Sequence, residues 1–175
     1  MGGLKLIPIV SVVGRSNSGK TTLIVKLIKE LKKRGYRVGI IKHDVHGFEI
    51  DHPGKDTWLH AEAGADVVTI SSPSKFALIE TLTKEKSLDD IVSSINNVDL
   101  IITEGYKTGD KPKIEVFRKP RSEDLLSSKK DLIAIATNHP LNIGIPEYSL
   151  EDSIGLVDLI EKTFLKNGKT DGCIL

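Results

Sequence analysis

Residues 7–23, IPIVSVVGRSNSGKTTL, constrain this chain more than any other stretch. They open with an apolar run, Ile7–Val13, rich in β-branched residues, the composition of a strand buried on both faces in a parallel sheet. Gly14-Arg15-Ser16-Asn17-Ser18-Gly19-Lys20-Thr21 follows and matches G-x-x-x-x-G-K-[ST] at every position. After Thr22 the pattern turns helical, with Leu23, Leu27, Ile28 and Leu31 on one face and Lys and Glu opposite. Strand, glycine loop and helix in that order make a phosphate cradle.

Gly14 and Gly19 let the backbone take positive φ and approach a ligand, so that successive N–H groups form an anion nest. The helix adds its unpaired N-terminal donors and positive dipole end. Lys20 is expected at the β- and γ-phosphates, and the Thr21 hydroxyl at Mg²⁺. Gly14 through Thr22 are thus the expected nucleotide-binding residues.

A chain of 175 residues with 25 Lys+Arg against 24 Asp+Glu suits one globular domain near neutrality. Broad sequence-independent binding to nucleic acid needs a basic surface and is not expected. The one cysteine, Cys173, excludes a disulfide framework within one chain and points to a reducing compartment. No apolar run approaches the roughly 18 residues of a membrane span, so neither a leader nor a membrane anchor is expected, and the cytoplasm is the expected location.

Along the chain, the first helix ends at Arg34-Gly35, and Val38–Ile41 is a second buried strand. Residues 42–55 form a loop broken by Gly47, Pro53 and Gly54. A short helix spans Thr57–Ala63. Val67–Ile70 and Phe76–Ile79 make a hairpin. Ser87 caps a helix reaching about Ile95. Leu100–Ile102, Ile114–Phe117 and Leu132–Ala136 are further strands. Residues 119–130 form a polar loop. Ser149 and Asp152 cap a last helix whose shared face holds Ile154, Val157, Ile160 and Phe164. Residues 1–166 are expected to form one domain and 167–175 a frayed tail. Strands alternating with helices specify an α/β fold, three layers with a mostly parallel central sheet flanked by helices and a hairpin insertion. Ligands of such sheets bind beyond the carboxyl ends of the strands, where the glycine loop, Lys42–Asp44, Glu104 and Thr137-Asn138 should converge.

VDLIITE, residues 98–104, has the form of an acidic strand whose Glu104 would stand near Mg²⁺ or orient a water. Asp44 is a second candidate carboxylate for the metal, and Asp56 a weaker one. Lys20, Glu104 and Asp44 are the candidate catalytic set. His43, His46 and His52 with Asp51 could bind Zn²⁺ or Ni²⁺, but with no second ligand pair elsewhere a solvated or substrate-contacting loop is the favoured reading. Lys42, Lys55, Lys107 and Lys111 could meet a second anion. Asn138 offers donor and acceptor to a base, in a chain with no N-K-x-D motif.

GRSNSGKTTL, IKHDVHGFEIDHPGKDTWLHAEAGA and IITEGYK together resemble the molybdopterin-guanine dinucleotide biosynthesis protein B family, over residues 5–140. The resemblance implies a dimeric P-loop NTPase fold that binds GTP and Mg²⁺ and hydrolyses GTP weakly. It also implies a helper role in attaching a guanosine nucleotide to molybdopterin, beside a nucleotidyltransferase partner. Lys42, His43, His46, Asp51, Asp56 and Lys107 would then belong to the switch or cofactor-facing segments. The sequence offers no obvious arginine finger, so the site could be completed across a homodimer interface. The alternatives are a small-molecule kinase, with residues 119–130 as a lid beside Arg118 and Arg121, and a nickel-handling GTPase.

Overall fold

The structure is a computed structural model that describes residues 6–166; the expected frayed tail and Cys173 lie outside the described residues. The chain divides into two compact units, Met1–His43 with Ile95–Leu175, and Asp44–Ser94.

The first unit is built on a six-stranded sheet in the order β2-β5-β1-β6-β7-β8. Its strands are β1 (Ile9–Gly14), β2 (Val38–Lys42), β5 (Leu100–Glu104), β6 (Lys113–Phe117), β7 (Leu132–Thr137) and β8 (Glu147–Ser149). Every pairing is parallel, so the expected α/β class is found and all carboxyl ends lie on one edge. The short strand β8 was not expected from the sequence; with three residues it carries too little periodicity to read.

One face of this sheet packs against α1 (Lys20–Lys33) and α4 (Ser153–Ile160). Val10, Val12, Leu100, Ile102, Ile114 and Val116 meet Leu23, Leu27, Leu31, Leu156, Val157 and Ile160 there, all nearly or fully buried. The other set of alternating positions is also buried but holds polar groups. Thr103 Oγ1 donates to Ser11 Oγ at 2.8 Å. Lys113 donates to the Gly109 carbonyl and lies 3.5 Å from Asp131, and Glu115 accepts from Leu126 N at 2.7 Å and Ser127 N at 2.9 Å. Buried charges persist only when paired or fully hydrogen-bonded, and these are.

α1 ends as expected, with Gly35 at φ +86 and Tyr36 N donating back to Leu31 O at 3.1 Å. Arg34 then ties this end to α4, reaching Asp158 Oδ1 at 2.6 Å and Glu161 Oε2 at 2.8 Å. α4 corrects the expected face: Ile154 is 58% exposed, while Leu156 is fully buried. Asp152 alone caps the helix, accepting from Gly155 N at 2.9 Å, whereas Ser149 belongs to β8. Starting the helix at Ser153 puts 156, 157 and 160 on the inward stripe and turns 154 outward.

The second unit contains α2 (Asp56–Glu62), the expected hairpin as antiparallel β3 (Val67–Ser71) and β4 (Phe76–Glu80), and α3 (Leu88–Ser93). A reciprocal Ser87–Asp90 capping box starts α3. Trp58 and Ala61 of α2 face Val68 and Ile79 around a cavity of about 90 Å³. Val67, Leu78 and Phe76 occupy the opposite face of the hairpin and are 50%, 51% and 69% exposed. Among the described residues, no helix is long and apolar enough to cross a membrane.

Candidate functional site

The glycine loop follows β1 at the centre of the sheet, between β5 and β6. Gly14 lies so close to β6 that a Cβ would stand 2.7 Å from the Val116 carbonyl and 2.8 Å from Ser18 Oγ. Gly19 sits at φ +102, a conformation L side chains avoid, and starts α1. No side chain caps α1, so its first N–H groups are left for an acceptor beyond the helix end.

Ser16, Asn17, Gly19, Lys20, Thr21 and Thr22 line a cleft of about 540 Å³, together with Lys42 of β2 and Glu104 of β5. Loop, acidic strand end and second strand end therefore meet as expected from their positions after parallel strands. Arg15 contributes its carbonyl, which accepts from Lys20 Nζ at 3.0 Å and Ser18 N at 3.2 Å. Ser18 is fully buried, with no hydrogen-bond partner for its hydroxyl.

Thr21 Oγ1 donates to Glu104 Oε1 at 3.0 Å. This contact tests whether the residues suit Mg²⁺. A hydroxyl that donates to a carboxylate keeps its lone pairs for a metal, and the carboxylate keeps oxygen sites for a metal-bound water. The donor set is all oxygen, which is the hard-cation preference. Burial pushes the Lys20 ammonium below its usual pKa; Glu104 opposes this, while Lys107 and Lys42 add to it. Lys20, Lys42 and Lys107 thus concentrate positive charge at one sheet edge, a field suited to a polyanion.

The other expected residues are described by their own contacts. His43 N donates to the Glu104 carbonyl at 2.9 Å, and its ring stacks on Tyr106 with centroids 4.9 Å apart. Asp44, His46, Asp51 and Asp56 belong to the second unit. Asp44 Oδ1 accepts from His46 N at 3.1 Å, and Asp51 Oδ1 from His52 N at 2.8 Å. The Asp51 carboxyl is held low by hydrogen bonds from Thr57 and from His52. Among the described residues no three His, Cys, Asp or Glu side chains gather so as to hold a metal ion, which leaves the histidine loop without a zinc or nickel donor set. Asn138 spends its amide on the main chain of one residue, accepting from Lys119 N at 3.0 Å and donating to Lys119 O at 3.2 Å. Residues 119–130, considered as a lid, are fastened by that clamp and by Glu115.

Arg118, expected only as a neighbour of a kinase lid, stands instead at the glycine loop. Its Nε donates to the Ser18 carbonyl at 3.0 Å. The available signal was its place directly after a parallel strand, the position that exposed Glu104 and Lys42 as candidates.

The family model described as "Molybdopterin guanine dinucleotide synthesis protein B" matches residues 9–138. A Haemophilus influenzae protein named molybdopterin-guanine dinucleotide biosynthesis adapter protein is 36% identical over 157 residues, covering 89% of this chain and 88% of its own length. An Escherichia coli protein of the same name is 36% identical over 167 residues, covering 91% and 95%. Among solved structures, a crystal structure of molybdopterin-guanine biosynthesis protein B superposes with a TM-score of 0.72 at 30% identity, covering 88% of this chain and 98% of that one.

Proposed function

This chain belongs to the molybdopterin guanine dinucleotide synthesis protein B family, and from that premise we propose that it is an adapter of molybdopterin-guanine dinucleotide biosynthesis that works by binding GTP with Mg²⁺. The observation that carries the nucleotide is the 540 Å³ cleft whose lining joins Lys20, Thr21 and Glu104. Main-chain N–H groups from Gly14 to Thr22 hold the phosphates and Lys20 neutralises them. Thr21 and Glu104 would hold Mg²⁺, which would offset the phosphate charge. Hydrolysis is slow, because the cleft lining holds neither an arginine finger nor a glutamine to orient water. Lys42 and Lys107 extend the positive field beyond Lys20 for a second anion, and the phosphate of molybdopterin supplies one. A nucleotidyltransferase is the partner that this adapter serves.

The chain works as a homodimer in the same proposal. A two-stranded hairpin is marginal by itself, and the exposed Val67, Leu78 and Phe76 face suits a second copy of the chain.

The test is a thermal-shift comparison of GTP·Mg²⁺ with ATP·Mg²⁺ at equal concentration. A ligand at 100 times its Kd adds about 2.7 kcal/mol, a rise of roughly 5–11 °C for a chain of this size. A rise with GTP·Mg²⁺ supports the proposal. A rise with ATP alone favours a kinase, and no rise with either removes the nucleotide from it.

A further inference from the structure

Arg118 follows β6, the strand that pairs with β1 on the side away from β5. Its Nε donates to the carbonyl of Ser18 at 3.0 Å, and its guanidinium packs against Gly19, 3.4 Å from where a Cβ would stand. It does not line the 540 Å³ cleft, whereas Gly19 does. Nor is it among the charges that act on Lys20, which are Glu104, Lys107 and Lys42. The guanidinium therefore grips the loop's main chain from behind.

Peptide geometry turns that grip into a consequence for the cleft. In a planar trans peptide the C=O and the N–H point in opposite directions. A group that fixes the Ser18 carbonyl also fixes the Gly19 N–H, and aims it away from Arg118. A charged donor on the carbonyl further polarises the amide, so the N–H becomes a stronger donor to an anion. Gly19 alone could not hold this orientation, since glycine has the widest backbone freedom.

Arg118 is itself held. Its N–H donates to Ser122 Oγ at 3.3 Å, and its carbonyl accepts from Ser122 N at 2.8 Å. The next residue is clamped by Asn138, and the buried Glu115 carboxylate fastens the segment further on at Leu126 and Ser127.

We propose that Arg118 is a positioning residue of the phosphate site: by holding the Ser18–Gly19 peptide it presents the Gly19 N–H to the phosphate chain of a bound nucleotide. This rests on the nucleotide-binding proposal above and adds that the loop's donor geometry is set in cis by β6.

The experiment measures Kd for GTP·Mg²⁺, ATP·Mg²⁺ and inorganic tripolyphosphate in wild type, Arg118→Lys and Arg118→Met, with the Gly19 amide followed by ¹⁵N–¹H correlation spectra. The expected result is roughly tenfold weaker binding in Arg118→Met, by the same factor for every wild-type ligand among the three, with Arg118→Lys recovering most of it. The ligand-induced shift of the Gly19 amide should shrink in Arg118→Met and return in Arg118→Lys. Unchanged affinity in Arg118→Met overturns the proposal. So does a loss confined to nucleotides with tripolyphosphate unaffected, which would put Arg118 on the nucleoside. If Arg118→Met does not fold, Arg118→Gln replaces it, with a neutral donor in place of the cation. A wild type that binds none of the three overturns the nucleotide-binding proposal itself, a result that no Arg118 variant is needed to see.

Discussion

Thr21 and Glu104, 83 residues apart in sequence, meet at 3.0 Å through a hydroxyl-to-carboxylate hydrogen bond at the carboxyl edge of the sheet. The bond joins the start of α1 to the end of β5, and in the proposed function these two side chains would hold Mg²⁺. Thr21→Ala removes the hydroxyl ligand and is expected to weaken Mg²⁺-dependent GTP binding about tenfold or more. Binding without Mg²⁺ should change little. Titrations with and without EDTA check this; equal loss in both conditions would remove Thr21 from the metal.

Lys20 is expected to separate binding from stability. Burial already disfavours its charge, so its folded pKa lies below the usual 10.5. Between the folded value and 10.5 the unfolded chain holds more protons than the folded one. The cost is therefore present at neutral pH, and stability rises as pH climbs through that window. Lys20→Met should weaken GTP binding roughly 10- to 100-fold while leaving thermal stability equal or slightly higher. Calorimetry with ligand titration decides it, and a variant that melts much earlier would contradict the sign.

Glu161 answers to pH in the opposite way. Burial raises its pKa, but hydrogen bonds from Tyr36 and Arg34 outweigh that and hold the carboxyl below its usual 4.5. Its contribution is fully present above 4.5 and is lost as pH falls through the lower, folded value. Glu161→Gln should cost about 1–3 kcal/mol at neutral pH, with the difference from wild type shrinking in acid. Urea unfolding at a series of pH values measures both.

Glu115 is 1% exposed and accepts two main-chain N–H groups. Glu115→Ala would leave Leu126 N and Ser127 N without that acceptor and should cost about 2–4 kcal/mol. Hydrogen exchange should speed up across residues 119–128. Wild-type exchange rates there would show the tether to be idle.

Phe76 and Leu78 test the dimer. Phe76→Ser with Leu78→Ser should yield a monomer by light scattering while the hairpin signal in circular dichroism persists. A wild type that is monomeric with and without nucleotide would end that part of the proposal.

Much of the site was legible because it is local. Gly14 through Thr22 carry their geometry in consecutive residues, and Glu104 follows an apolar run that a buried parallel strand explains; the strand before Lys42, expected to be buried, is instead the sheet's edge, with Ile40 48% exposed, because an apolar run does not record strand order. Asn138 was legible as a position but not as a role, since its partner, the main chain of Lys119, comes from another loop. Ile154 was misplaced because an apolar residue one turn-fraction outside a short helix's stripe fits the same periodic pattern.

The α/β class, the glycine loop and the acidic strand end were written in consecutive residues, because backbone conformation, strand burial and helix start are set by neighbours. Tertiary structure alone decided the contacts between distant strand ends: Thr21 with Glu104, Arg118 behind Ser18, Glu115 under its loop. Those depend on strand order and register, which arise from how the whole sheet packs and leave no mark at any one position.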